Sequence, residues 1–374
     1  MRVHFFSPTP SLPPDHGLPP SKVLGRTGGN TGNQLFISAL VRQVAHTEAS
    51  FGYQLDADDI NANVGLIVIP AANWLHQSMD LGKWYNWLAP TKVPILIAGL
   101  GAQAGLNGRI PELPEGSRAF LRLIKERARV IGTRGAFTSG VLAHYGVTNI
   151  ATVGCPSLYY HCRPEFPAVR PVGELVEERV VLQGTKHQAR PEALHRPGEV
   201  ATQRRLIGAA WSSRTSYVLQ SEREEIELTL GGQLEAEASQ RLLAYYGVNS
   251  LAALRDFLTR MRVFLDVGSW MAFLSQMGFV CGTRVHGVMA SVLAGTPASL
   301  FVHDSRTAEM AEIAGLPRFE FEEFLTTAES EGTMAAIRRA AAASSCAELQ
   351  ARYPENYRNY RGFLEGNGVD HKLA

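Results

Sequence analysis

The sequence predicts an α/β protein of two similar halves, each a parallel sheet flanked by helices, with a cleft between them. Three observations predict it. Short apolar runs alternate with helix-length amphipathic stretches, the pattern of a parallel sheet with crossover helices. One motif occurs twice, as ARVIGTRGAFTSGVLAHYGV (Ala128–Val147) and as GFVCGTRVHGVMASVLAGTP (Gly278–Pro297), each reading as a buried strand, Gly-Thr-Arg, and an amphipathic helix ending near a glycine. At 374 residues the chain also exceeds the roughly 250–300 residues at which single cores stop growing.

Taken in order, Val3–Phe6 is a first strand, and Ser7–Ser21 is proline-rich and irregular. Glycines in Gly25–Asn33 make a loop, after which Leu35, Ile37, Leu40, Val41 and Val44 form a helical stripe. Leu66–Ile69, between Gly65 and Pro70, is a buried strand, and Val93–Ala98 is another, ending at Gly99-Leu100-Gly101. A helix over Ser117–Arg127 puts Phe120, Leu121 and Ile124 on one side, and Val130-Ile131 and Ile150–Val153 complete the first strand series. The three prolines of Pro164–Pro171 mark the linker. In the second half, Val180–Gln183, Tyr217–Leu219, Val263–Leu265, Phe279–Cys281 and Ala298–Val302 are strands, and a Glu-rich stretch over Glu222–Tyr246 and Ala252–Thr259 are helical. Beyond Thr333 the chain is alanine-rich, then tyrosine-rich, and reads as C-terminal helices placed to pack back across the first half. The expected organisation is an N-terminal domain over 1–165, a C-terminal domain over 172–335 and C-terminal helices over 336–374.

Composition narrows the function. Hydrophobic residues at 45% and charged residues at 19% fit a globular enzyme. A net charge of +1 supplies no global field for nucleic acid. No apolar run reaches the roughly 20 residues of a membrane span, and the MRVHFF start lacks a secretory signal pattern. Cys155, Cys162, Cys281 and Cys346 have no metal spacing and read as free thiols of a reducing cytoplasm.

In open α/β sheets ligands sit beyond the carboxyl ends of the strands, where helix N-termini favour anions. The loops expected there are Gly25–Asn33, Gly99–Gln103, Gly132–Arg134, Gly282–His286 and His303–Arg306. Within them Asn30, Gly32, Asn33, Gly101, Gln103, Arg134, Arg284, Asp304 and Arg306 are the expected substrate-binding residues. The Gly28–Asn33 loop is neither a Walker A sequence nor a dinucleotide fingerprint; it is a ligand loop or a plain strand-to-helix turn. Arg134 and Arg284 occupy equivalent positions, and their forks match a carboxylate or phosphate bidentately; the alternative is an ion pair at a domain edge. His286, two residues after Arg284, has the placement for general acid–base work, against a structural role on an apolar helix. The aromatics Trp74, Trp84, Tyr85 and Trp87 suit either a sugar face or a core patch.

Together GNTGNQL, VPILIAGLGAQ, TRGAFTSGVLAHYGV followed by VGCPSLY, and CGTRVHGVMASVLAGTP followed by HDSR resemble the polysaccharide pyruvyl transferase family over roughly Gly25–Leu316. The Arg-x-His-Gly at a helix start is the most specific of these. The resemblance implies two Rossmann-like domains in a GT-B-like arrangement. It also implies transfer of pyruvate from phosphoenolpyruvate to sugar hydroxyls, giving a ketal and phosphate. No clustered His, Cys or carboxylate spacing implies a metal, and no cofactor is expected besides phosphoenolpyruvate as donor substrate. His286 would then be catalytic, with Arg134 and Arg284 in the phosphoenolpyruvate site. The partners implied are phosphoenolpyruvate and a saccharide acceptor, free or lipid-linked, in the cytoplasm or at the inner membrane face. Three positions depart from the family pattern: Asn33 stands where Asp is frequent, Cys155 replaces the Asp of Gly-Asp-Pro, and Arg306 replaces a Lys. A nucleotide-sugar glycosyltransferase and a non-catalytic glycan-binding homologue are the rival readings.

Overall fold

The computed structural model describes residues 1–104, 108–185 and 197–374. Their strands form two all-parallel sheets. The first comprises β1 (Arg2–Phe5), β2 (Glu48–Phe51), β3 (Leu66–Pro70), β4 (Asn73–Leu75), β5 (Ile95–Ala102), β6 (Ile131–Thr133) and β7 (Ile150–Thr152), in the order β2-β1-β3-β5-β6-β7 with β4 also paired to β5. The second comprises β8 (Val180–Gln183), β9 (Ser216–Val218), β10 (Met261–Arg262), β11 (Phe279–Gly282), β12 (Ala298–Val302) and β13 (Arg318–Glu320), in the order β10-β9-β8-β11-β12-β13. Renumbered from its own first strand, the second order is 3-2-1-4-5-6, the doubly wound Rossmann order. The expected pair of Rossmann-like domains is therefore present.

The central strands β3, β5, β8 and β11 are buried along their whole length, as strands covered by helices on both faces must be. In the second sheet the strand order reverses between β8 and β11, which pair in register from Phe279↔Val180 to Gly282↔Gln183. A crevice opens at such a switch point, beyond the carboxyl ends. Gly282-Thr283-Arg284 leaves β11 at that point.

The first sheet also takes a helix from the far end of the chain. Ala347–Gly366 buries Tyr353, Tyr357, Tyr360 and Phe363. Tyr360 stacks on Tyr159 with ring centroids 4.2 Å apart and donates to Gln43 Oε1 at 2.6 Å. Phe363 lies over Gly132, where an added Cβ would come within 2.8 Å of the ring. Thr333–Ala342 packs instead in the core of the second sheet, through Ala336, Ile337 and Ala340. No helix of the described residues is long and apolar enough to cross a membrane.

Three elements differ from their expected form. The strand read as ending at Ala98 continues to Ala102, because Gly99 takes a left-handed φ of +77° and forms a bulge between Ile97 and Leu100. The Glu-rich stretch is two helices, Arg223–Thr229 and Ala236–Tyr246, separated at Gly231, whose φ is +79°. The strand read at Val263–Leu265 lies two residues earlier, at β10.

Candidate functional site

The repeated motif places its two arginines in matching local structures. Arg134 follows β6, and its Nε donates to Gly99 O on the neighbouring β5 at 2.8 Å. Arg284 follows β11, and its Nε donates to Gly184 O, just past the neighbouring β8, at 3.0 Å. The bulge at Gly99 presents the first of these carbonyls. Beyond the shared bond the two diverge. Arg134, 2% exposed, donates to Asn73 Oδ1 at 3.0 Å and Ala71 O at 3.1 Å, so its hydrogen-bond partners are neutral. Arg284 pairs with the buried carboxylate of Glu222 and donates to Ser221 Oγ. Burial alone would raise the Glu222 pKa, but Arg284 and the backbone N–H groups of Gln220 and Ser221 outweigh it and hold the group below the usual carboxyl range.

His286 stands in the first turn of the helix Val285–Leu293, between the two halves. The following Gly287 leaves room for the buried Gln183 amide: a Cβ there would overlap the amide oxygen at the end of β8. The partly exposed imidazole faces two groups of the N-terminal half. Its Nε2 is 3.6 Å from Cys155 Sγ, and its ring centroid is 5.2 Å from that of Phe36. Phe36 also lies under the Arg134 guanidinium, 5.5 Å from its carbon. Burial first, then the charges of Arg134, Arg306 and Arg284, hold the His286 pKa well below its usual value. The positive surround thus disfavours the imidazolium form.

The remaining expected residues line the seam where the halves meet. Thr31 N donates to Gln220 O at 2.8 Å, which places the glycine loop at the carboxyl end of β9. Gly32 leaves space for the Gln220 side chain, Asn30 Oδ1 accepts from Gly32 N at 2.8 Å, and Asn33 Nδ2 closes the loop onto Gly28 O at 3.4 Å. Gly101 leaves space for Asn73 and the Arg134 stem. Gln103 Nε2 reaches Asp304 Oδ2 across the seam at 3.4 Å, and Ala104 N donates to Ser305 Oγ at 3.0 Å. Asp304 caps the helix Ser305–Ala314, and Arg306 Nε lies 3.5 Å from its carboxylate. Burial would raise the Asp304 pKa; Arg306, His303 and the Thr307 bonds lower it further than burial raises it.

The structure thus brings His286, Arg134, Arg284 and Arg306 into one electrostatic neighbourhood, with the glycine loop at its edge. It adds residues the sequence reading did not select: Phe36, Asn73, Cys155 as a contact of His286, Glu222 and Glu309. Glu222 lies in a Glu-rich run with no local sign that one of its carboxylates is buried. The tryptophan cluster packs into the core of the first sheet. Trp84 meets Trp74 edge-on at 4.5 Å, stacks on Tyr53 at 5.1 Å and touches Phe6 at 5.8 Å. Among the described residues no group of three or more His, Cys, Asp or Glu side chains is placed to hold a metal.

A family model described as polysaccharide pyruvyl transferase matches residues 30–305. No curated protein matches significantly. Among solved structures, the chain is similar to the UDP-GlcNAc 2-epimerase of Methanocaldococcus jannaschii in complex with UDP-GlcNAc and UDP, at 10% identity and a TM-score of 0.46, over 98% of this chain and 100% of that one. It is similar to the UDP-N-acetylglucosamine 2-epimerase of Rickettsia bellii at 10% identity and 0.46, over 98% and 95%. It is similar to the Anabaena protein HepE, solved with UDP and glucose, at 12% identity and 0.44, over 98% and 99%.

Proposed function

The chain belongs to the polysaccharide pyruvyl transferase family, and from that premise we propose that it moves the pyruvate unit of phosphoenolpyruvate onto two hydroxyls of a saccharide, forming a ketal and releasing phosphate. The observation that carries this reading is the placement of His286 at the seam within the field of Arg134, Arg284 and Arg306, which lowers its pKa. Phosphoenolpyruvate bears a phosphate and a carboxylate, and such a field attracts both. Its arrival would offset the arginine charges and raise the imidazole pKa, so proton uptake would accompany binding.

The chemistry balances with the residues present. One hydroxyl proton ends on the methylene carbon, which becomes the methyl group; the other leaves with phosphate. The two hydroxyl oxygens bond to the former enol carbon. A positioned histidine supplies one proton transfer, worth about 10²–10⁴-fold. Asn30, Gly32, Asn33, Gly101, Gln103, Arg134, Arg284, Asp304 and Arg306 are the substrate-binding residues in this proposal. Gln103 and Asp304 now contact each other across the seam, so ligand entry would exchange that contact for substrate. The acceptor is a saccharide of a cell-surface polysaccharide or its precursor, free or lipid-linked at the inner membrane face. A cytoplasmic location agrees with four free thiols.

The test is incubation with phosphoenolpyruvate and a panel of saccharides, reading phosphate release and the mass of the pyruvate adduct. Release of nucleoside diphosphate from a sugar nucleotide, with phosphoenolpyruvate inert, would overturn the proposal in favour of glycosyl transfer. Saccharide binding without turnover of either would leave a glycan-binding homologue.

A further inference from the structure

We propose that Cys155 is a positioning residue that fixes the tautomer of His286, putting the ring proton on Nδ1, the nitrogen left free for a ligand. The argument is a count of donors and acceptors. A neutral imidazole has one N–H and one acceptor nitrogen, and the bond made by one nitrogen decides the state of the other. Cys155 sits just after Gly154, whose φ of +78° turns the chain out of β7, and its thiol is 3% exposed. Ser157 Oγ donates to Cys155 Sγ at 3.1 Å. The sulfur is already an acceptor there, and its own proton needs a partner. With Ser157 Oγ acting as the donor, the acceptor left to the thiol among the described residues is His286 Nε2, at 3.6 Å. The chain Ser157 O–H to Cys155 S–H to Nε2 uses every group once. The reverse order, with Nε2–H donating to sulfur, gives the sulfur two donors and leaves the thiol proton with none.

Nδ1 then carries the hydrogen. Nothing among the described residues bonds it, and the side chain is partly exposed. Burial and the charges of the three arginines disfavour a second ring proton, so the tautomer matters for the ring's chemistry. His286 therefore meets a ligand as a hydrogen-bond donor. That consequence for the reaction rests on the proposed pyruvyl transfer; the tautomer itself does not.

The experiment is ¹⁵N NMR of ring-labelled histidine in the full chain, with the His286 signals assigned by their loss in His286→Asn. In the wild type Nδ1 should be protonated and Nε2 bare. Cys155→Ser should keep that state, because a hydroxyl also donates. Cys155→Asp supplies only an acceptor and should move the proton to Nε2, and Cys155→Ala should give a mixture. In turnover, Cys155→Ala should lower kcat by about twofold, the share of the ring lost to the other tautomer, while Cys155→Ser keeps it, with KM for phosphoenolpyruvate little changed. A wild-type ring protonated on Nε2 would overturn the assignment, as would a tautomer that stays the same in folded Cys155→Asp and Cys155→Ala. If the NMR result holds and no pyruvate adduct forms with any saccharide, the functional reading fails and the positioning role stands.

Discussion

The carboxylate of Glu309 closes the first turn of the helix that follows Arg134. From the opposite half it accepts from Thr138 N at 2.8 Å and from Thr138 Oγ1 at 2.9 Å. Gly135, beside it, leaves the space its side chain fills. A helix start carries free N–H groups and a partial positive charge, so a carboxylate from the other half is a favourable cap. The same place would suit an anionic ligand, which makes this bond a competitor for it.

Glu309→Ala should lower stability by about 1–3 kcal/mol, the cost of leaving buried donors unsatisfied. Burial raises the Glu309 pKa more than the Thr138 bonds and Arg134 lower it. A carboxyl raised on folding contributes stability that is present below its unfolded pKa and lost as pH rises through the folded value. Glu309→Gln, which does not ionise, should therefore gain on the wild type as pH rises from the usual carboxyl range through that raised value. Denaturation across a pH series reads the difference; parallel curves would remove the linkage.

For the buried pair Arg284–Glu222 the sign is opposite. Glu222 is lowered on folding, so its contribution is present above the usual carboxyl range and fades as pH falls through the lowered value. Glu222→Gln strands a buried guanidinium and should cost about 3–5 kcal/mol at neutral pH, with the gap to the wild type narrowing in acid. A gap that does not change with pH would mean the carboxylate is not ionised in the fold.

Phosphoenolpyruvate binding should take up a proton through His286. Calorimetry in buffers of different ionisation enthalpy measures this directly. Enthalpies independent of buffer, with binding intact, would sink the role of the ring as the titrating group. His286→Ala should abolish the uptake and reduce turnover by at least about 10²-fold while the fold is kept.

Gly287→Ala should be destabilising by about 1–3 kcal/mol, because its methyl runs into the Gln183 amide in a closed core. Shortening that neighbour in the double variant with Gln183→Ala should recover part of the loss. Strictly additive effects would show that the two residues are not coupled.

The sequence made the repeated strand-Gly-Thr-Arg-helix units legible because buried parallel strands are nearly continuous apolar runs and the motif recurs intact. It did not show β4 and β13, three residues each, nor β2, an edge strand carrying Glu48. Such pieces are held by pairing to a neighbour and carry too little local pattern to be read. The site shows the same division. Arg134, Arg284 and His286 announce themselves by type and position. Glu222, Glu309 and the Cys155–His286 contact depend on which surfaces the two halves bring together, information that has no period along the chain.

The return of the C-terminal helix onto the first sheet makes the N-terminal half discontinuous in the chain. Its core includes Tyr360 against Tyr159 and Gln43, residues separated by roughly half the protein or more. During synthesis at about 5–20 residues per second, that half waits on the order of ten seconds or longer for its last helix. A nascent chain arrested before Ala347 should therefore be open to protease around Tyr159, and protection there should arrive only with the final segment. The half that is translated first is the one completed last.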